Sequence, residues 1–576
     1  MSTPARLAAT AALLVCALAV GFLRLGAAPV YILNEAREGV YARAMLDSGN
    51  FLLPVVRNHV ENGETVQDKP PLVHWLSATA TALRVWATGG RVAVGPALAA
   101  RYDEWSLRFP SALAALLTVA AIALLGRHLV GDRAALLAGA TLLASWQFVH
   151  QARFGRVDMA LCGSVTLVML LAGRALLDGA PRALLPAAAA AALAVLAKGP
   201  LGIALPLAAG VSFVAIRTIQ DRSFSRWRAL PWRQALLVWA LLALPWYIAA
   251  IGTGGMAVVR SQFLKETVGQ FTGANAHMRL FYYLGPWLLD SAPWNLLGVL
   301  GVWHAWRTRD PRAGFCAVWW GCFLAVFQLA AYKRRAYLLP ALPAGALLAG
   351  YWMDRWLADR GVTLRAALAA ALPAWWWRAL GLTAAAAGAG SVAVRAAVVQ
   401  RWLGTALQPV DGALALAGAA VGAAALLAFA RAARHRQPAA ALAALWVALI
   451  AVYLGPVATS EVVIAQRHSP APLVQRMAAD LPAGEPATVL GVGDAASLLL
   501  LFYFPDFARI DVVPQRNGIP PTLSAGHYLL AENVWTRLLA NEDAGNEDGW
   551  RALWSDTVRE RGMTIPVVFA ERRPPH

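Results

Sequence analysis

Charged residues are scarce in this chain and gather at a few points. After the first apolar run, LNEAREGVYARAML places Asn34, Glu35, Arg37, Glu38 and Arg43 in close order. Asp68 and Lys69 follow in QDKPPLVHWL, and Arg153, Arg156 and Asp158 lead into FGRVDMALCG. Lys198 stands alone in AVLAKGPLGIAL, Lys265 and Glu266 share a later loop, and Lys333, Arg334 and Arg335 run consecutively in AAYKRRAYLLPALP. Lysine and arginine bind phosphate, arginine through a bidentate fork and lysine as a point charge. A carboxylate beside them can orient a polar substrate or accept a proton. Each group also has a plainer reading. Lys198 could snorkel to the membrane interface, the Lys333–Arg335 run could be a solvated turn, and Asp158 could complement a helix N-terminus. Glu38 and Arg43 read as a solvated face.

The elements that hold these charges are apolar. Of 576 residues, 59% are hydrophobic and 14% charged, against about 25% charged in an ordinary soluble domain. Apolar runs recur from residue 8 to about residue 458, each near the roughly 20 residues that cross about 30 Å of hydrocarbon. They begin near residues 8, 109, 134, 159, 181, 200, 234, 285, 314, 336, 377, 411 and 438, which predicts a mainly α polytopic membrane protein with about 13 transmembrane helices. The runs at 181–197 and 200–217 are split only by AKGP and fit either a tight hairpin or one broken helix. The net charge of +18 sits mostly in short arginine-bearing loops. That is the signature of cytoplasmic loops on an anionic membrane and not of a nucleic-acid partner. With the N-terminus inside, the loops around Arg127, Arg174, Arg222, Arg309, Arg360 and Arg434 all fall on the cytoplasmic side. The four cysteines lie inside apolar runs and form no CxxC pair, so they read as small core residues.

Residues 1–460 are therefore expected to form the membrane domain. Two long outer loops, 31–107 and 253–284, interrupt it, and loops of that length are usually functional. The first carries two stretches amphipathic enough to lie along the interface as helices. Residues 461–576 are more polar and read as a small periplasmic α/β domain, with strands in ATVLGVG, HYLLAE and TIPVVFAE and a helix in DAASLLLLFYF. The outward cations beside a few carboxylates suit a polyprenyl phosphate, whose tail stays in the bilayer. A transporter is the competing class, but it would put its charges and repeated halves near the midplane, and no repeat is visible.

NEAREGVYARAMLDSGNFLLPVV, then QDKPPLVHWL, then LRFPSAL resemble the first-loop pattern of the membrane glycosyltransferases with the GT-C fold. The nearest groups are the lipid A aminoarabinose transferases and the protein-mannosyltransferase-like bacterial family. VDMAL, AKGPLG, LPWYI, APWNLL and KRRAYLLPALP match later landmarks in order, so the resemblance covers about residues 8–355. It implies a bacterial inner-membrane enzyme that moves a hexose or pentose from a polyprenyl-phosphate donor, with inversion, to a lipid A-like or other envelope acceptor on the periplasmic side. A protein O-glycosyltransferase of the same family, a lipid-linked sugar flippase and a non-catalytic lipid-binding relative are the alternatives. Lys69 matches the lysine that meets the carrier phosphate and Arg37 the arginine beside it. Lys198 and Lys333, Arg334 and Arg335 would stabilise charge on the leaving phosphate. Glu35 and Asp158 are the carboxylates placed to orient acceptor or sugar. No cofactor is implied, and a divalent metal has no ligand set to support it. Most of the family carries Asp where this chain has Asn34, and an amide cannot accept a proton. Glu35 or Asp158 then serves as base, or the acceptor is an already ionised phosphate, or activity is weak.

Overall fold

A computed structural model of the chain describes residues 2–54, 69–269, 281–291, 293–358, 409–435, 437–506, 509–513, 523–542, 550–560 and 563–573. Asp68 and the span expected near residue 377 lie outside them, as do the side chains of Lys265 and Glu266. The chain divides into two compact units, each assembled from three segments: 1–25, 108–252 and 262–463 in the first, and 26–107, 253–261 and 464–576 in the second.

The first unit is helical, and its apolar side chains face two ways. Phe148, Phe315, Trp319, Phe323 and Tyr351 are fully buried, while Leu117, Leu241, Ile248, Trp306 and Leu329 are exposed. A helix that is apolar all round suits hydrocarbon on one side and protein on the other. Among the described residues, ten helices are long and apolar enough to cross a membrane, and the protein is multi-pass. Two expected spans are broken. The run near residue 134 becomes Asp132–Leu143 and Trp146–Ala152, with Ser145 extended between them. The run near residue 285 becomes Leu284–Asp290 and Trp294–Thr308.

Each break releases a carbonyl from its helix, and in an apolar medium that group needs a donor. The Ala144 carbonyl receives Trp294 Nε1–H at 3.1 Å and the Tyr453 hydroxyl at 3.3 Å. The Trp287 carbonyl receives the Asn295 side-chain amide. Side chains thus replace the missing helical bonds, which is why both breaks persist inside the bundle.

The AKGP segment resolves as a hairpin. Helices Leu184–Lys198 and Leu201–Asp221 are joined through Gly199, whose φ of +71° favours glycine. A Cβ on Gly202 would lie 2.3 Å from the Ala194 backbone. In a continuous helix, residues eight apart would be about 12 Å distant, so the chain has turned back on itself.

The second unit holds a five-stranded mixed sheet in the order β2-β1-β3-β5-β4. Its strands are β1 Ala487–Leu490, β2 Ile510–Val513, β3 Gly526–Ala531, β4 Trp550–Glu560 and β5 Met563–Arg572. β1 runs parallel to β2 and β3, with Val489 opposite Val512 and Leu529, and β5 pairs antiparallel with β3 and β4. The expected α/β character is present, with β2 and β4 added to the strands read from sequence. Helix Leu33–Ser48 belongs to this unit and packs on helix Asp494–Tyr503 so closely that a Cβ on Gly39 would meet the Phe502 ring at 2.5 Å.

The solvated face expected at Glu38 and Arg43 is overturned, since they are 6% and 4% exposed. Arg43 Nη1 donates to the Leu501 and Phe502 carbonyls at 3.2 and 3.1 Å, and Nη2 to Pro505 at 2.6 Å. It therefore caps the C-terminus of helix 494–503, where carbonyls lack helical partners and the dipole favours a cation. Burial lowers its pKa to about 10, against the opposing charges of Asp47 and Asp506. Glu38 Oε2 lies 2.7 Å from Nε2 of His74, itself buried in helix Leu72–Ala87.

Candidate functional site

Helix Val157–Leu177 begins after an extended Arg156, with Asp158 in its first turn. Asp158 is 1% exposed, and both of its oxygens hold cations. Oδ1 accepts from Lys198 Nζ, and Oδ2 lies 3.1 Å from Arg156 Nη2. Three local features make this arrangement. The helix N-terminus favours the carboxylate, and Lys198, last residue of its helix, lies where the dipole favours a cation. The Arg156 backbone is held by the Ser111 hydroxyl, which donates to its carbonyl at 3.1 Å. Lys198 Nζ also sits 4.7 Å from the centroid of the Tyr337 ring, a cation–π distance. Arg334 is near enough for its charge to act on Asp158.

The Lys333–Arg335 run does not act as one patch. The Lys333 ammonium donates to the Gln328 and Ala330 carbonyls, the latter at 2.7 Å, closing the end of helix Pro311–Leu329. Arg334 Nη2 donates to the Tyr332 hydroxyl at 2.8 Å, and its backbone N–H to the Tyr283 hydroxyl at 3.3 Å. Arg335 is exposed and pairs with Asp290 at 2.9 Å. Of the three, Arg334 alone figures among the charges acting on Asp158.

The remaining expected residues lie in the second unit. Asn34, Glu35 and Arg37 occupy the first turns of helix 33–48; Glu35 is fully buried at 0% exposure, and Asn34 and Arg37 are half-buried. Lys69 is half-buried just before helix 72–87. Tyr102 donates to Ser77 Oγ at 3.1 Å. Burial, and then the charges of Asp103, Glu38 and Glu35, hold its hydroxyl well above the ordinary tyrosine range. Among the described residues, no three His, Cys, Asp or Glu side chains gather where a metal could sit. Sequence reasoning missed the aromatic partners Tyr337, Tyr332 and Tyr283. The first two lie within or beside KRRAYLLPALP, so a search for aromatics flanking the cations would have found them.

A solved structure titled ArnT from Cupriavidus metallidurans bound to undecaprenyl phosphate superposes with a TM-score of 0.69 over 97% of both chains, at 21% identity. This is the GT-C fold. The apo form of the same protein gives a TM-score of 0.65 at 20% identity. A family model described as dolichyl-phosphate-mannose-protein mannosyltransferase matches residues 68–248 of this GT-C chain. An undecaprenyl phosphate-α-4-amino-4-deoxy-L-arabinose arabinosyl transferase of Pseudomonas fluorescens is 27% identical over 58% of the chain and 55% of its own length. An uncharacterised protein of Aquifex aeolicus is 26% identical over 58% of the chain and 61% of its own length. The likeness thus spans less than two thirds of either relative. The fold agrees with the GT-C resemblance read from the sequence.

Proposed function

We propose that this GT-C protein transfers a sugar from a polyprenyl-phosphate donor to a phosphate group of a lipid A-like acceptor, on the periplasmic side of the bacterial inner membrane. The observation that carries the acceptor class is the state of the two candidate bases. Both Asp158 oxygens already hold cations, an arrangement suited to fixing Lys198 and Arg156 in place and not to taking up a proton. Glu35 is fully enclosed, and Asn34 offers no basic atom. A hydroxyl acceptor would need a base, whereas an ionised phosphate needs none. The named activity of the Pseudomonas fluorescens relative supports a lipid-linked aminopentose as donor, and the bound lipid of the Cupriavidus structure supports an undecaprenyl carrier.

In this reading Lys198 and Arg334 neutralise charge on the departing carrier phosphate, and the sequence resemblance gives Lys69 and Arg37 phosphate-binding roles. Asp158 holds Lys198 against Tyr337 so that the ammonium does not reorganise as charge develops. Attack opposite the leaving phosphate inverts the anomeric centre. Lys333 and Arg335 shape the outer rim. The cytoplasmic N-terminus and periplasmic 461–576 domain follow from the arginine loops.

The test is transfer by purified protein in detergent, using undecaprenyl-phosphate aminoarabinose and lipid A, with product detected by mass spectrometry. The wild type forms a glycosylated lipid A; Lys69→Ala and Asp158→Ala form none while still inserting. Full activity of both variants overturns the site, and the absence of any new glycosidic bond leaves a flippase. The description of the matched family model favours a protein hydroxyl as the second reading, and glycosylated envelope peptides in place of modified lipid A select it.

A further inference from the structure

The two cations that the resemblance assigns to the carrier phosphate belong to different elements. Arg37 stands in the first turns of helix 33–48, and Lys69 lies just ahead of helix 72–87. For both to meet one phosphate, each helix must sit at one height and one rotation on the other.

Beside these cations is a pair of side chains that the proposed reaction does not use. Glu38 follows Arg37, and His74 lies in the first turn of helix 72–87; they are 6% and 1% exposed. Glu38 Oε2 and His74 Nε2 approach to 2.7 Å, and neither atom is open to solvent. Tyr41, one turn beyond Glu38, meets the imidazole edge-on, with ring centroids 6.0 Å apart. Ser77 Oγ donates to the His74 carbonyl at 3.2 Å and receives the Tyr102 hydroxyl at 3.1 Å. The imidazole is thus gripped from helix 33–48, while its own backbone is tied into the rest of the loop.

Taking a carboxylate and an imidazole out of water costs free energy that an apolar pair in the same place would not. What the polar pair adds is direction. Apolar contact is non-directional and survives sliding and rotation, whereas an oxygen bound to a ring nitrogen tolerates a shift of only about half an ångström. Consecutive helical residues leave the axis about 100° apart. Holding Glu38 on His74 therefore also sets the direction in which Arg37 leaves its helix.

We propose that Glu38 and His74 are positioning residues, a buried pair that fixes helix 33–48 on helix 72–87 so that Arg37 and Lys69 reach one phosphate. This role presupposes the phosphate-binding roles given above to Lys69 and Arg37.

Three quantities test it on purified full-length protein: undecaprenyl phosphate affinity by native mass spectrometry, donor KM and kcat in the detergent transfer assay, and melting temperature. Glu38→Leu and His74→Leu should each weaken undecaprenyl phosphate roughly tenfold or more, as misplaced binding groups do. Donor KM should rise in step, with kcat within about threefold of wild type. Glu38→Gln, whose amide donates or accepts at the same reach, should keep affinity within about threefold. The double variant Glu38→Leu/His74→Leu strands no polar group, so it should melt close to wild type and yet bind as weakly as either single variant. It decides the matter if the single variants fail to fold. Affinity that recovers together with the melting temperature in the double variant makes the pair structural only and overturns the proposal. Lys69→Ala and Arg37→Gln separate this role from the reading beneath it. Lost affinity in both, with wild-type affinity in the double variant, refutes the positioning pair alone. Unchanged affinity in both overturns the phosphate-binding roles and the positioning role with them.

Discussion

Asp158 shows how a single carboxylate can matter through the cations it holds. Replacing it by asparagine keeps its volume and leaves Lys198 and Arg156 without their partner. Breaking such a buried pair costs about 3–5 kcal/mol, so Asp158→Asn should lower the melting temperature of the purified protein markedly. The double variant Asp158→Asn/Lys198→Met removes the stranded charge as well and should recover much of that stability, but no transfer. Recovery of stability without activity separates a catalytic arrangement from a merely structural one, because the melting temperature and the turnover then move apart. Asn34 offers a second contrast. If the acceptor is an ionised phosphate, Asn34→Asp leaves turnover within about threefold of wild type, since no proton has to be removed. A rise of tenfold or more in the detergent assay would mean that a base had been missing and that the acceptor is a hydroxyl.

Helices here are held at their ends and breaks by groups distant in sequence. Arg43 closes helix 494–503 with three charged hydrogen bonds. Arg43→Met keeps most of the packing and loses those bonds, so it should cost about 2–4 kcal/mol, seen as a lowered denaturation midpoint of the 494–503 region by hydrogen exchange. Trp294→Phe should cost about 1–2 kcal/mol, because the Ala144 carbonyl keeps the Tyr453 hydroxyl and loses the indole. The spans were legible in sequence because composition over about 20 residues is a strong signal, and the strand in ATVLGVG because it is short, apolar and bounded. The break after Asp290 is marked in the sequence by Pro293, but the one at Ala144 was not legible. Nothing near Ala144 distinguishes a continuous span from an interrupted one, and the groups that sustain the interruption come from residues 294 and 453. For the same reason Glu38 and Arg43 looked solvated: their charge is visible in the sequence, while the carbonyls that receive Arg43 lie more than 450 residues later.

At the scale of the whole molecule, the arginine loops set an orientation that labelling can check. In a cysteine-free background, Ser223→Cys should resist a membrane-impermeant maleimide applied to spheroplasts, and Gly90→Cys should react, as the positive-inside rule requires. The reverse pattern would invert the topology and move the Asp158 cluster to the cytoplasmic side. The order of synthesis adds a consequence of its own. Arg43 and its acceptor on Leu501 are 458 residues apart, and ribosomes add about 5–20 residues per second. The first loop therefore waits roughly 20–90 s for the segment that completes its core. During that interval Gly39 has no Phe502 to pack on and Arg43 no carbonyls to close. A nascent chain stalled before residue 494 should expose this loop to proteases that the finished protein resists, and factors that guard unfinished chains would find their substrate there.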